Sequence, residues 1–310
     1  MISYEGLLQK LKSRQLTKTA LAAQLGISSR TIAKIGRGER IADHVLVRIA
    51  AFLDCTPEEL CRSVSDNALL QTLRDEKQIR MPGGLYHELQ IRMTYNSNHI
   101  EGSRLSEDET RRIFETNTVG GAAHVDDIIE TVNHFRAIDF CIDCAEELLS
   151  ETIIKQLHYL LKSRTSDELL PYFRVGAYKE RPNMVGGVET TEPQNVAAEM
   201  ERLLRDYHAK GRIAFEDVVD FHYRFERIHP FQDGNGRVGR LIAFKECLKH
   251  NIVPFIIEDV KKHYYYRGLK EYEREPGYLM DTCYDGQDTF QALLTYFQIK
   301  EPLINSAPPS

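Results

Sequence analysis

The chain has 310 residues, 42% of them hydrophobic and 28% charged, with a formal net charge of −6. That is ordinary for a globular protein and ample for one large core and a small one. Neither a membrane-spanning nor a secreted protein is expected: the longest apolar runs, such as LIAF and IVPFII, fall far short of the ~18 residues a bilayer needs, and the first residues show no basic leader with an apolar stretch. Six cysteines occur, and Cys141 and Cys144 form a CxxC inside a helical pattern. No second pair completes a metal site, so buried, reduced thiols are expected and the cytoplasm is the expected compartment. Residues 1–62 carry ten Lys/Arg against six Asp/Glu, a balance of +4, which leaves −10 for the remainder. Two differently charged modules are implied.

The first module, expected over 1–64, reads as short helices. TKTALAAQL presents Ala20, Leu21 and Leu25 on one side, Gly26 stops it, and Ser28 or Ser29 caps the next helix. Ile32 and Ile35 then face inward while Arg30, Thr31 and Lys34 face out, and Val45, Leu46, Ile49 and Leu53 repeat an inward set. The stretch LTKTALAAQLGISSRTIAKIGRGER resembles the Cro/XRE-type helix-turn-helix family, except that Gly36 stands where relatives carry an acidic or amide residue. The resemblance implies DNA binding, with Ser28, Ser29, Arg30 and Lys34 near bases or phosphates of the major groove. A docking or dimerisation domain remains the alternative, because +4 is a modest charge.

Residues 65–84 read as a helical linker broken at Pro82-Gly83-Gly84. A helix from about 85 to 102 follows and holds the segment SNHIEG, with Ser97, Glu101 and Gly102 near its end. A glutamate there opposes the helix dipole, so it does not serve helix stability. Amphipathic helices are expected over 107–115, 125–149, 150–163, 193–208 and 215–228. Between them, about 173–191 changes period and carries Gly176, Pro182, Gly186 and Gly187, which fits two short strands around a turn. Pro254 and a helix with Tyr264, Tyr265 and Tyr266 come later; three consecutive tyrosines cannot all face a core, so at least one meets solvent or ligand. The tail, 301–310, reads as disordered.

The densest chemistry lies in HPFQDGNGRVGR, from His229 to Arg240. Gly234 and Gly236 let main-chain N–H groups approach a ligand, and a helix beginning near Gly236 adds its N-terminus as an anion site. Arg237 and Arg240 lie three apart on one helix face and suit polyphosphate. Asp233 is a hard oxygen ligand that would hold Mg²⁺ jointly with substrate phosphates. His229 is the group able to exchange a proton near neutral pH, the natural general base.

This run resembles the signature HxFx(D/E)GNGRxxR of Fic-domain proteins at every specified position. The resemblance implies an all-α fold: a Fic helical core over 85–300 with a small β-hairpin flap, preceded by the helix-turn-helix bundle. It implies AMPylation, the transfer of AMP from ATP with Mg²⁺ to a Ser, Thr or Tyr hydroxyl of a protein. His229 would deprotonate the acceptor, Asp233 bind Mg²⁺, Asn235 and Gly236 hold the α-phosphate, and Arg237 and Arg240 the β- and γ-phosphates. Phe231 would anchor the loop. Lys in place of Gly236 marks kinase relatives and Ala in place of Gly234 phosphocholine transferases, so the glycines favour AMP. SNHIEG resembles the (S/T)xxxE(G/N) inhibitory motif, whose glutamate, here Glu101, would pair with Arg240 and seat ATP unproductively. Val185, Gly186, Gly187 and Val188 match flap positions that touch ATP and align the target by strand addition. Tyr265 and Tyr266 match positions lining the adenine pocket. Relatives modify DNA gyrase or topoisomerase IV subunits and often themselves; homodimerisation is open. Two alternatives also stay open: hydrolysis of a protein–AMP bond, and a DNA-binding regulator whose core senses nucleotide.

Overall fold

The computed structural model describes residues 2–63 and 67–299. The tail expected over 301–310 and the boundary expected at 64 lie outside the described residues. The chain divides into two compact units, 1–67 and 68–310.

In the first unit, strand β1 (Ile2–Ser3) is followed by helices α1 (Glu5–Ser13), α2 (Lys18–Leu25), α3 (Ser29–Gly36), α4 (Asp43–Phe52) and α5 (Pro57–Leu60). Strand β2 (Arg62–Ser63) pairs antiparallel with β1. Side-chain caps set the helix bounds. Thr17 accepts from the Ala20 N–H at 3.0 Å to open α2, and Ser28 accepts from the Thr31 N–H at 3.2 Å to open α3. Each cap contributes about 1 kcal/mol. Gly26, at φ 60°, ends α2 in the left-handed conformation. Leu7, Leu21, Ile35, Ile49, Leu53 and Leu60 close a single core.

The second unit runs through α6 (Ala68–Ile79), α7 (Leu85–Ile100), α8 (Glu107–Thr116), α9 (Val125–Asp143) and α10 (Glu151–Lys162). A hairpin of β3 (Met184–Val185) and β4 (Val188–Glu189) precedes α11 (Pro193–His208), α12 (Phe215–Ile228), α13 (Asn235–Lys249), α14 (Lys262–Glu271) and α15 (Gly277–Tyr296). The fold is all-α apart from these short ladders. Helix α13 is buried on nearly every side, its apolar Val238, Leu241, Ile242, Phe244 and Leu248 together with its charged Arg237, Arg240, Lys245 and Glu246. Such a helix belongs in the middle of a core, and α9, α10 and α12 pack around it. That packing places the start of α13 against the ends of α10 and α12, where the candidate site forms.

Two expectations need correcting. The linker expected over 65–84 contains α6, whose Leu69, Leu70 and Leu73 are almost fully buried in the second unit's core. Leucines at that spacing form an apolar face that needs a partner, and α7 and α9 supply it. Helix α9 ends at Asp143, six residues early, with Cys144 as its cap; Ser150 then accepts from the Ile153 N–H to start α10. The two short strands expected within 173–191 are present, each of two residues. Cys141 and Cys144 are buried free thiols, and burial raises both pKa values.

Candidate active site

The segment from His229 to Arg240 is held from below. His229 closes α12 in the left-handed conformation, φ 51°, with its N–H on the Phe225 carbonyl at 3.0 Å. Phe231 is fully buried and stacks flat on His158, ring centroids 3.9 Å apart. His158 in turn accepts from the Gly176 N–H through Nδ1 at 2.9 Å, and its Nε2 lies 3.2 Å from the Asp233 carbonyl. Gly234 caps α13 at φ 79°, a conformation that other side chains adopt only with strain. The first main-chain N–H groups of α13 therefore lack helical partners and face the turn, the geometry that binds anions.

Asn235 uses its side chain within the loop. Its Oδ1 accepts from the Phe231 N–H at 2.8 Å and its Nδ2 donates to the Phe231 carbonyl at 2.9 Å, with the residue 1% exposed. Both ends of the amide clamp the loop, so the side chain is not available to an α-phosphate; what Asn235 offers is its backbone N–H.

The charges form two groups. In the first, Arg237 pairs with Glu130 and, at 3.3 Å, with Asp233 Oδ2, while its Nε has no hydrogen-bond partner among the described residues. Lys162 Nζ also reaches Asp233 Oδ2, at 2.8 Å. Burial works to raise the Asp233 pKa, but Arg237 and Lys162 outweigh it and hold the carboxyl well below the usual range. Asp233 nonetheless keeps 54% of its side chain exposed. An ionised, half-exposed carboxylate beside a phosphate-binding helix end fits Mg²⁺.

In the second group, Arg240 is 6% exposed and points at the end of α7. Its NH2 lies 2.7 Å from Glu101 Oε1 and 3.0 Å from the Ser97 carbonyl, and its Nε donates to Ser97 Oγ at 3.0 Å. Glu101 caps α7 and Gly102 follows it at φ 100°. The Glu101 carboxylate also lies over Gly236: a Cβ there would stand 2.1 Å from Oε1. Glu226 is a third member, its pKa raised to about 8, mainly by burial.

Tyr265 sits beneath Arg240. It is 1% exposed, with its hydroxyl 2.7 Å from His222 Nε2 and 3.5 Å from Arg240 NH1. A ring enclosed that way supports Arg240 from beneath instead of lining an open pocket. Tyr266 and Tyr264 are the exposed members of the trio; the Tyr266 hydroxyl donates to the Ile100 carbonyl at 2.9 Å, beside Glu101.

The flap is pinned to the loop. The Lys179 N–H donates to the Pro230 carbonyl at 2.9 Å, and Asn183 Nδ2 to the Phe231 carbonyl at 3.1 Å. Val185 pairs with Val188 across Gly186 and Gly187, both at positive φ (56° and 79°). Met184 and Val185 are exposed on the short strand. Lys179 is 4% exposed, and burial lowers its pKa to about 8.

Burial drives the His229 pKa down to about 4, helped by the positive Lys179. The imidazole is therefore neutral at pH 7 and able to accept a proton. Its Nδ1 is buried without a hydrogen-bond partner among the described residues, which leaves Nε2 for that task. His134, His158 and His222 are likewise pushed to about 3 by burial. All four bind protons more readily unfolded, where imidazole titrates near ~6.5. Their stabilisation is present above that value and is lost as pH falls toward the folded values. Glu226 works oppositely, losing its contribution as pH rises through about 8. Four imidazoles outweigh one carboxyl between roughly pH 4.5 and 6.5, so the melting temperature is expected to fall on acidification with net proton uptake. Calorimetry across that range checks it; a rise on acidification would contradict the assignment.

In the first unit, Ser28, Ser29 and Arg30 are exposed at the first turn of α3, and Lys34 is partly exposed one turn on. Ser28 also serves as the cap, so its hydroxyl is already engaged with Thr31.

Sequence reasoning missed Glu130, Lys162, Asp167, Lys179 and Glu226. Lys162 ends an amphipathic helix, where a lysine ordinarily meets solvent and the helix dipole. It gave no signal of being 2% exposed.

Comparison with known proteins places these features. A model described as the Fic/DOC family matches residues 148–246, and one described as the Cro/C1-type HTH DNA-binding domain matches 7–66. The protein adenylyltransferase Fic of Drosophila virilis is 27% identical over 188 residues, 57% of this chain and 36% of that protein. That of Aedes aegypti is 26% identical over 195 residues, 59% and 37% of the respective chains. The matched stretch thus spans about a third of the length of these curated relatives. Among solved structures, a Fic-domain-containing signaling protein from Bacteroides thetaiotaomicron is similar at TM-score 0.56 and 25% identity, covering 73% of this chain and 90% of that one. Fic-1 from C. elegans is similar at TM-score 0.57 and 18% identity, over 95% and 85% of the two chains, a likeness of fold alone.

Proposed function

Because the chain carries a Fic domain C-terminal to a Cro/C1-type helix-turn-helix domain, we propose that it transfers AMP from ATP to a hydroxyl of a target protein and is held inactive by Glu101. The observation that carries this reading is the seat of the Glu101 carboxylate, on Arg240 at 2.7 Å and over Gly236. A carboxylate lodged at the start of α13 occupies a place built for anions, and it takes the guanidinium suited to a terminal phosphate.

In the working arrangement His229 Nε2 takes the acceptor's proton. The acceptor oxygen bonds to the α-phosphorus as the bond to the bridging oxygen breaks, and pyrophosphate leaves. The backbone N–H groups opening α13 hold phosphate oxygens, and Arg237 offers the Nε that lacks a protein partner. Mg²⁺, held by Asp233, would offset the charge of the phosphates. The exposed edge of the flap, Met184 and Val185, presents backbone groups to an extended target segment. ATP labelled at the α-position distinguishes this activity from phosphoryl transfer: the Glu101→Gly protein should take up α-label and no γ-label. Release of AMP from a modified target by the unaltered chain would instead favour the hydrolytic direction.

The helix-turn-helix domain is read as a DNA-binding, autoregulatory module, supported by the exposed Ser29 and Arg30 on α3. Gel-shift titration on DNA from the chain's own promoter checks it. Replacing Arg30 and Lys34 by alanine should weaken binding and lower the slope of log K against log salt by about 2; unchanged binding would assign the module to docking.

A further inference from the structure

Lys162, the last residue of α10, is 2% exposed. Its ammonium lies 2.5 Å from Glu130 Oε1, 2.5 Å from Asp167 Oδ2 and 2.8 Å from Asp233 Oδ2. An ammonium has three protons, and here three carboxylates from three different segments receive them. The carboxylate oxygens come within 4.8 Å of one another, the spacing that a hard cation with oxygen ligands requires. Arg237 touches Glu130 and Asp233 from the side and leaves the centre to Lys162.

We propose that Lys162 is a positioning residue whose ammonium is the resident cation of this cage, turning Asp233 Oδ2 inward and keeping divalent ions out until one arrives bound to nucleotide. This rests on the nucleotidyl-transfer reading above. Burying charges this way is weak support for stability alone, since desolvation offsets much of the attraction. The arrangement does solve a specific problem. Asp233 must present a carboxylate to a metal that the nucleotide brings, and two neighbouring carboxylates would otherwise pull that metal into the cage. Lysine suits the task because its charge is compact and its donors radiate from one point; the planar fork of arginine cannot serve three carboxylates around a centre.

The test uses the full chain carrying Glu101→Gly, with and without Lys162→Met, which keeps the stem and removes the charge. The probe is Mn²⁺ without nucleotide, followed by electron paramagnetic resonance and calorimetry. The parent is expected to bind Mn²⁺ weakly, and the Lys162→Met protein at least tenfold more tightly. Adding Asp167→Asn should abolish the gain. In labelling assays, Lys162→Met should raise the Mg²⁺ needed for half-maximal rate at least fivefold, and Lys162→Arg should not restore it. Equal Mn²⁺ binding by parent and variant, or an unchanged Mg²⁺ requirement in a folded variant, overturns the proposal. If the methionine variant fails to fold by circular dichroism, Lys162→Gln takes its place with the same expected outcomes. A gain in Mn²⁺ binding with no labelling by the parent would sink the AMP-transfer reading while leaving Lys162 as the occupant of the cage.

Discussion

Replacing Glu101 with glycine is expected to raise AMP labelling by at least ~100-fold, the order that one well-placed charged donor contributes to a transition state. The structure supplies the reason. Arg240 is fixed by Ser97 Oγ and the Ser97 carbonyl as well as by Glu101, so it stays in place when the carboxylate goes. What changes is that one guanidinium edge and the start of α13 become open to phosphate. The same substitution removes a charge-assisted hydrogen bond worth about 1–2 kcal/mol, since Glu101 is partly exposed. The melting temperature should then drop by roughly 2–8 °C at ~2–4 °C per kcal/mol. Activity rising while stability falls separates a brake from an ordinary helix cap. Radiolabel transfer and a thermal melt on the same preparation check both halves; unchanged labelling with lowered stability would reduce Glu101 to a structural residue.

Removing the His229 imidazole in that activated background should lower the labelling rate by ~10²–10⁴-fold, the span of a general base. Asparagine is the better replacement, because position 229 has φ 51° and asparagine tolerates the left-handed region where alanine is strained. A His229→Asn protein that keeps nucleotide affinity and loses rate assigns the proton transfer. Since burial has moved the pKa to about 4, kcat/KM should show no titration near ~6.5, where an unperturbed imidazole would titrate. A clear inflection there would mean that a solvated group serves as the base.

The residues from His229 to Arg240 were legible because they are contiguous, and chemistry gathered in one stretch needs no fold to assemble it. Glu101 was legible for a related reason: a glutamate at a helix C-terminus is locally unfavourable, and a local rule broken in sequence points to a distant partner. Helices α11 and α12 were readable to the residue from their apolar period, with Pro193 at the first turn of α11. The cage around Lys162 was not readable, because Glu130, Asp167 and Asp233 come from separate segments, and Glu130 and Asp167 alone each look like a surface acid. The burial of Tyr265 was not readable either. A tyrosine triplet fixes that some rings face outward but not which, and the fold turned the middle one in. Asn235 shows a third limit, since an amide in a loop can serve ligand or backbone equally well, and only geometry tells them apart.

The fit of Glu101 over Gly236 has an evolutionary corollary. A single methyl at position 236 would act as a wedge, evicting the carboxylate from Arg240, since the clash at 2.1 Å is with the far end of a flexible side chain that can swing aside. The same methyl would crowd the entrance to α13. Position 236 therefore tolerates no drift that position 101 could absorb: a methyl there would release the lock and damage the keyhole in one step.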